Sequence, residues 1–215
     1  MKICLVLLAV IVCAAPALGD ASLNTLMEKL QQKYNTLDTL KANFTQSYSS
    51  KRFSDRMVER GTVYFRKGGL MKWDYQTPER KMFMSDGTFY YYYLVDDKQV
   101  IKAVADLKNE RSPTLFLAGR GSFLKDFRAD WADPRPGSHL VKLTPLKPQQ
   151  DFKYLIVDID PVEGLVLGLV VIDNYENRTE YKFEAIQQNP KVPPDFFVFH
   201  QPPGAETVFQ QGEAE

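Results

Sequence analysis

Few residues in this chain of 215 could act as nucleophiles, general bases or metal ligands. The histidines number two, His139 and His200, and the GRGS stretch at 119–122 lacks the G-x-S-x-G form of a nucleophile elbow. Nucleophilic hydrolysis needs a base beside the serine, and a zinc site needs several nitrogen or sulfur ligands. The sequence therefore predicts no enzyme activity, no metal site and no cofactor. An exported hydrolase is the remaining catalytic alternative.

Three acidic residues, Asp158, Asp160 and Glu163, lie close together around Pro161 and Gly164. Their oxygens are of the kind that binds Ca²⁺, but their spacing does not match the twelve-residue calcium loop. A plain turn between two strands is therefore favoured over a calcium site.

A cleavable secretory signal is predicted over residues 1–19. Lys2 supplies a positive charge, and the apolar run over 3–12 is too short to span a bilayer as a helix. Small residues at the last and third-last positions predict cleavage between Gly19 and Asp20 and export of the remaining chain.

Cleavage would also remove both cysteines, Cys4 and Cys13, and leave a chain that folds without disulfides. The remaining residues, 20–215, have the length of a single domain, with a polar tail after about residue 209 that is expected to fray. The alternative is lipidation of Cys13, which would anchor the protein to a membrane.

The composition is balanced in charge and rich in aromatic residues. The 27 basic and 27 acidic residues cancel, which argues against a nucleic-acid partner. The chain has 14 Phe and 11 Tyr, and five aromatic residues follow one another over 89–93. Because a strand points successive side chains to opposite faces, both faces of that strand are expected to be covered.

The sequence predicts an N-terminal helix followed mainly by strands. Ser22 is a suitable N-cap for an apolar stripe at helical spacing that ends at Tyr34. From Leu40 the apolar period changes to two, and short turns imply an antiparallel meander. Asp86-Gly87 predicts a two-residue hairpin. The eleven predicted strands lie at 40–48, 57–66, 70–75, 80–85, 88–95, 99–104, 127–131, 139–144, 152–159, 165–173 and 178–187.

Short apolar helices interrupt this pattern, and a short strand is predicted near the C-terminus. Ser112 and Pro113 begin the first helix, which a glycine ends at 119, and Ser122 begins the second. A last strand is predicted over 196–199. A sheet of so many strands must curl, close or split, and a half-open one leaves a cavity that helices can cover. The aromatic residues then either fill a core or line an apolar cavity.

Several segments resemble the LolA family of periplasmic outer-membrane lipoprotein carriers. The central block is GTVYFRKGGLMKWDY at 61–75, followed by Pro78 and the Ser-Asp-Gly turn at 85–87. The family's first strand is similar to ANFTQ at 42–46, and its lid helix to SPTLFLA at 112–118. The family's C-terminal end is similar to 199–208, which contains PPG. The resemblance covers almost all of the chain after the predicted signal.

The resemblance implies a mainly β fold with a few α-helices, an incomplete and strongly curved antiparallel barrel of about eleven strands. The N-terminal helix and the short inserted helices would form a lid over an apolar cavity. It implies a monomeric chaperone that accepts acylated lipoproteins from an inner-membrane ABC transporter complex and passes them to an outer-membrane lipoprotein receptor. A related lipid-binding or envelope-sensing module, or an anchored receptor of the same fold, is the alternative.

The resemblance and the strand alternation together assign the cavity lining. The first group comprises Leu40, Phe44, Met71 and Trp73. The second, paired across the hairpin, comprises Phe83, Tyr90 and Tyr92, unless Met82 and Met84 face inward instead. The lid would contribute Leu115, Phe116 and Leu117.

The chain departs from the family where an Arg-Pro pair is usual. The matching residues are Lys67 and Gly68, and the resemblance implies that Lys67 acts as the lid latch. A lysine ammonium lacks the planar five-donor fork of arginine, so a latch to several carbonyl groups would be weaker or different.

Overall fold

The computed structural model describes residues 18–50, 56–105, 113–133 and 139–210, which form three helices and twelve strands. In chain order the elements are α1 (Leu18–Thr36), β1 (Thr39–Ser49), β2 (Arg56–Arg66), β3 (Leu70–Thr77), β4 (Lys81–Ser85), β5 (Phe89–Leu94), β6 (Gln99–Val104), α2 (Pro113–Leu117), α3 (Phe123–Asp126), β7 (Phe127–Trp131), β8 (Leu140–Pro145), β9 (Tyr154–Ile159), β10 (Val166–Ile172), β11 (Arg178–Gln188) and β12 (Glu206–Gln210).

All of these strands belong to one open sheet in the order β12-β6-β5-β4-β3-β2-β1-β11-β10-β9-β8-β7. Strand β1 pairs with both β2 and β11, and so joins an N-terminal half of the sheet to a C-terminal half. Neighbouring strands are antiparallel, except that β12 runs parallel to β6. The predicted fold class, an incomplete antiparallel barrel with a few helices, is confirmed.

The C-terminal part of the chain differs from the sequence prediction. The sheet has twelve strands in the described ranges rather than eleven, because β12 adds to the edge strand β6. Residues 196–199, predicted as a strand, instead form turns in which the N–H of Phe196 donates to the Pro193 carbonyl at 3.1 Å. All five side chains of β12 are exposed. A strand that buries neither face does not need alternating apolar residues, which are the signal that predicts strands from sequence. The strand includes Gln210, beyond the predicted start of fraying, and residues 211–215 lie outside the described ranges.

Helix α1 begins earlier than predicted. It starts at Leu18, so Ser22 is an internal residue and not its N-cap. No proline separates 18–22 from the apolar stripe, and the helix therefore continues towards the N-terminus. The predicted secretory signal falls mostly on residues 1–17, which lie outside the described ranges. Among the described helices, none has the length and apolarity needed to cross a membrane.

The sheet is covered differently on its two faces. The inner face carries the three helices, and its side chains and those of α1, α2 and α3 form one buried cluster. The outer face of β4 to β6 is covered by the segment 192–205, whose Phe197 is buried against it. Here the rings of Tyr91 and Phe199 stack with centroids 4.2 Å apart.

The turn between β4 and β5 contains three residues instead of the predicted two. Gly87 has a φ of 88°, whereas Asp86 is not among the residues with positive φ. Asp86 acts through its carboxylate, which accepts hydrogen bonds from the amides of Thr88 at 2.8 Å and Phe89 at 2.7 Å. The Asp side chain thus replaces the second left-handed residue that a two-residue turn would need.

Gly61 allows β2 and β3 to approach each other below an aromatic side chain. A Cβ atom at this position would collide with the carbonyl oxygen of Asp74 and would lie 2.9 Å from Cε1 of Phe44. The glycine at this point of the central block is therefore required by packing. A Cβ at Gly168 in β10 would meet its neighbours at 3.4 Å or more, an ordinary contact distance.

We expect Gly61→Ala to lower the free energy of unfolding by about 1–3 kcal/mol, because the methyl group overpacks the inner face. Urea denaturation followed by circular dichroism measures the change. Gly168→Ala is the matched control and is expected to change the free energy by less than about 1 kcal/mol. Equal effects of the two substitutions would contradict the steric explanation.

Candidate functional site

The centre of the inner face is an aromatic cluster around Trp73. Its side chain is 3% exposed and lies edge-on to Phe44 and Phe65, with ring centroids 4.9 and 5.4 Å away. Strand β11 adds Tyr181 at 5.4 Å and Phe183 at 6.4 Å. Edge-to-face ring pairs at these separations are favourable beyond their buried area. Strands from both halves of the sheet therefore meet at one large apolar surface.

The structure brings most of the sequence-predicted lining residues together in this cluster. Leu40, Phe44, Met71 and Trp73 from the strands, and Leu115, Phe116 and Leu117 from α2, are all buried in it. Oγ1 of Thr114, at the start of α2, lies 3.9 Å from Sδ of Met71. The side chains of α2 therefore cover the inner face directly.

The second predicted group lies at the margin of the cluster. Phe83 is half-buried and packs against it, while Tyr90 and Tyr92 are half-buried on the same face, with the Phe83 and Tyr90 rings 5.5 Å apart. The register pairs Phe83 with Tyr92 across the hairpin. Met84, 2% exposed, belongs to the outer cluster, and Met82 packs against that same cluster.

Helices α2 and α3 are held together by apolar contacts and by a cap. The Phe116 ring lies 5.4 Å from that of Phe123 and 5.0 Å from that of Phe127. Ser122 caps α3 as predicted, since its hydroxyl accepts a hydrogen bond from the Lys125 amide at 3.2 Å. The same hydroxyl donates to Oε1 of Gln31 in α1 at 2.9 Å. The short helices are therefore attached to α1 as well as to the sheet.

Lys67, the predicted lid latch, donates to α1, the N-terminal helix of the predicted lid, rather than to α2. Its ammonium donates to the Asn35 carbonyl at 2.9 Å, in the last turn of α1, where carbonyl groups lack helical partners. The backbone N–H of Gly69 instead donates to the Ala118 carbonyl at 3.1 Å, directly after α2. The hairpin between β2 and β3 thus holds α1 through a side chain and α2 through its backbone.

The place where α1, α2 and the hairpin between β2 and β3 meet is tightly packed. A cavity of about 10 Å³ lies there, lined by residues that include Tyr34, Leu40, Phe65, Leu117 and Gly119. This space admits one water molecule at most. No larger group fits between α2 and the hairpin in this arrangement.

Helix α1 is fixed above the C-terminal half of the sheet. The Tyr34 hydroxyl accepts a hydrogen bond from the Val166 amide at 3.3 Å, and burial raises the pKa of Tyr34 despite this bond. Lys29 donates to the Pro161 carbonyl at 2.7 Å. Asp160 closes the same loop by accepting from the amides of Glu163 and Val162, which lowers its pKa. Asp160 and Glu163 therefore belong to a turn that packs on α1, whereas Asp158 lies in β9.

Sequence reasoning did not assign several inner-face residues. Phe65 and Tyr75 follow from period-two alternation with residues that were assigned, so the sequence contained the signal for both. Phe183 and Tyr181 belong to β11, which pairs with β1 although more than a hundred residues separate the two strands. No local pattern reports that pairing.

Comparisons with known proteins agree with the geometry. The described strands form one open sheet whose apolar inner face is covered by helices, an arrangement that offers a large apolar surface. Residues 35–200 match the family model described as outer membrane lipoprotein carrier protein LolA. The chain therefore belongs to this family, which confirms the resemblance seen in the sequence. The proteins of this family are carriers and not enzymes, in agreement with the prediction.

The relatives cover nearly the whole chain. An outer-membrane lipoprotein carrier protein from Nitrosomonas europaea is 26% identical over 204 residues, which are 95% of this chain and 97% of the relative. One from Cupriavidus pinatubonensis is 27% identical over 205 residues, covering 92% and 96%. A crystal structure of an uncharacterized conserved protein from Thermus thermophilus has a TM-score of 0.54 at 14% identity, covering 87% and 98%, and supports the fold alone.

We expect Lys67→Met to lower the free energy of unfolding by about 1 kcal/mol or less, because its bond to Asn35 is exposed to solvent. The Gly69 amide should keep its protection from hydrogen exchange, since it is bonded to Ala118 rather than controlled by the lysine. Urea denaturation and amide exchange measured by NMR test both statements. Lys67→Arg, which retains a donor, is the control. Loss of Gly69 protection in Lys67→Met would show that the lysine also controls the contact between the hairpin and α2.

Proposed function

We propose that this protein accepts acylated lipoproteins from an inner-membrane ABC transporter complex, shields their acyl chains beneath its lid, and delivers them to an outer-membrane lipoprotein receptor. The observation that supports this most is that helices, rather than a further strand, cover the apolar inner face of the open sheet. Residues 20–215 act as one periplasmic domain after removal of the signal at 1–19.

The energetics favour a lid that is exchanged for lipid. Each buried acyl CH₂ group contributes about 0.8 kcal/mol, so a carrier must offer a large apolar surface to keep a long chain out of a membrane. The side chains of α2 cover such a surface around Met71 and Trp73. When the lid moves, acyl chains replace its side chains, and no apolar surface remains exposed to water in either state.

Release requires that the lipid is not bound too well. The lid competes with the acyl chains for one surface, so its return lowers the free energy of the empty carrier. An aromatic and methionine lining adapts to chains of different shape rather than fitting one of them closely. Both properties suit transfer to a receptor that binds the same chains more tightly.

The two tryptophans, Trp73 and Trp131, allow the acyl path to be located. In Trp131→Phe, a lipopeptide with dibrominated stearoyl chains is expected to quench the remaining emission, because the chains pass over Trp73 on the inner face. The same lipopeptide without bromine should leave the emission unquenched. Tryptophan fluorescence during titration measures both.

The control is Trp73→Phe, in which the half-buried Trp131 of β7 is the remaining fluorophore and weaker quenching is expected. Stronger quenching of Trp131 than of Trp73 would place the chains away from the proposed path and contradict it.

The anchored receptor is distinguished from the carrier by the N-terminus. We expect the exported protein to have the intact mass of a chain that begins at Asp20, without added lipid. Mass spectrometry of the protein from its native envelope measures this. A diacylated or triacylated Cys13 would instead identify a membrane-anchored acceptor of the same fold. Transfer assays then test the carrier directly, since energised transporter vesicles must yield a soluble one-to-one complex.

A further inference from the structure

The inner face changes from apolar to polar along the strand direction. In β3, Met71 near the lid is followed by Trp73 and then by Tyr75 on the same face. In β1, Leu40 and Phe44 are followed by Gln46. The same change occurs in neighbouring strands, where Val63 gives way to Glu59, Phe83 to Lys81 and Phe183 to Tyr181. One end of the face is therefore apolar, and the other end carries a polar group on five adjacent strands.

These polar side chains form a connected cluster, comprising Gln46, Glu59, Tyr75, Lys81 and Tyr181. Lys81 makes an ion pair with Glu59 that crosses over β3, and its ammonium lies 4.8 Å from the centre of the Tyr75 ring. The Tyr75 hydroxyl donates to Oε1 of Gln46 at 2.9 Å. The two charged side chains are only 15% and 9% exposed. The cluster is therefore part of the interior rather than of the solvated rim.

The cluster pairs donors with acceptors and has no net charge, since Lys81 donates to Glu59 and Tyr75 donates to Gln46. Burial lowers the pKa of Lys81, but the hydrogen bond and charge of Glu59 outweigh it and raise the pKa overall, so the ammonium stays charged at neutral pH. Burial raises the pKa of Tyr75, and raises that of Tyr181 to about 12, so both hydroxyls keep their protons. The positive charge of Lys81 is balanced by Glu59.

We propose that this cluster binds the polar carbonyl groups of an acylated ligand, with an ester or amide carbonyl oxygen of an acylglyceryl group accepting a hydrogen bond from an ammonium N–H of Lys81 that Glu59 does not take. The hydrocarbon would then extend from Tyr75 across Trp73 towards the lid. This inference rests on the proposed function and adds the chemical class that the polar end of the face recognises.

The charge balance favours a neutral ligand group over an anion. A fatty-acid carboxylate at this place would be attracted by Lys81 but repelled by Glu59, and it would lose its own hydration. An ester or amide carbonyl needs only donors and is far less costly to bury. A free fatty acid is therefore expected to bind to this cluster more weakly than an acylglyceryl ester.

The test compares three probes on the full exported protein. They are a dipalmitoylglyceryl-cysteinyl-serine dipeptide, palmitate, and the hydrocarbon fluorophore N-phenyl-1-naphthylamine. In Lys81→Met we expect about a tenfold loss of affinity for the dipeptide, as for a lost hydrogen bond to a charged donor, and less than about a twofold change for the fluorophore. Lys72→Met is the matched control, since Lys72 lies 4.8 Å from the Phe196 ring on the outer face. It should leave all three affinities unchanged.

Removing Lys81 alone leaves Glu59 buried without its partner, which can unfold the protein. The double variant Glu59→Gln with Lys81→Met removes both charges together, and the same selective loss of dipeptide affinity is expected. Equal losses for the dipeptide and the fluorophore, or no loss for either, would overturn the assignment. A preference of the unaltered protein for palmitate would overturn it in favour of a carboxylate site. Failure of the unaltered protein to bind the dipeptide at all would instead refute the proposed carrier function.

Discussion

The structure depends on one constraint, which is that an open sheet must bury its inner face without a strand that closes the barrel. Strand β12 and strand β7 are the two edges, and the apolar side chains between them need another cover. The three helices provide it, because α1, α2 and α3 bury their own apolar side chains in the same cluster as the strands. A cover made of helices can be removed from a sheet, whereas a closing strand would be held by a ladder of backbone hydrogen bonds.

In the proposed function one part of the cover moves while another stays, and the attachment of these helices is consistent with that division. Helix α1 is tied to the C-terminal half of the sheet by Tyr34 and Lys29, and to the β2–β3 hairpin by Lys67. Helix α2 is short and depends on apolar packing and on the Gly69 bond. The β2–β3 hairpin therefore contacts both the fixed and the separable parts of the cover. This arrangement gives a physical basis to the separation between fold stability and ligand exchange in a carrier.

Local physical rules predicted most elements of the fold. Period-two alternation located the strands, and Ser122 predicted the start of α3. Phe83 and Met84 lie on opposite faces because successive side chains of a pleated strand alternate. The failures occurred where a local preference was overruled or absent. Strand β12 has exposed side chains and is held by backbone pairing to β6, and α1 extends past Ser22 because nothing in 18–22 stops a helix. The Asp86 carboxylate changed the length of a turn.

By itself the sequence determined the class of fold, which side chains of a strand share a face, and membership of the LolA family, because these follow from alternation, turn chemistry and short motifs. Tertiary structure alone decided which strands meet, which helix Lys67 contacts, and that Glu59 and Lys81 form an interior pair across β3. Those features depend on contacts between residues far apart in the chain or separated by a whole strand. Alternation assigns a side chain to a face, but the distance between two side chains on that face is set by register and by the curvature of the folded sheet.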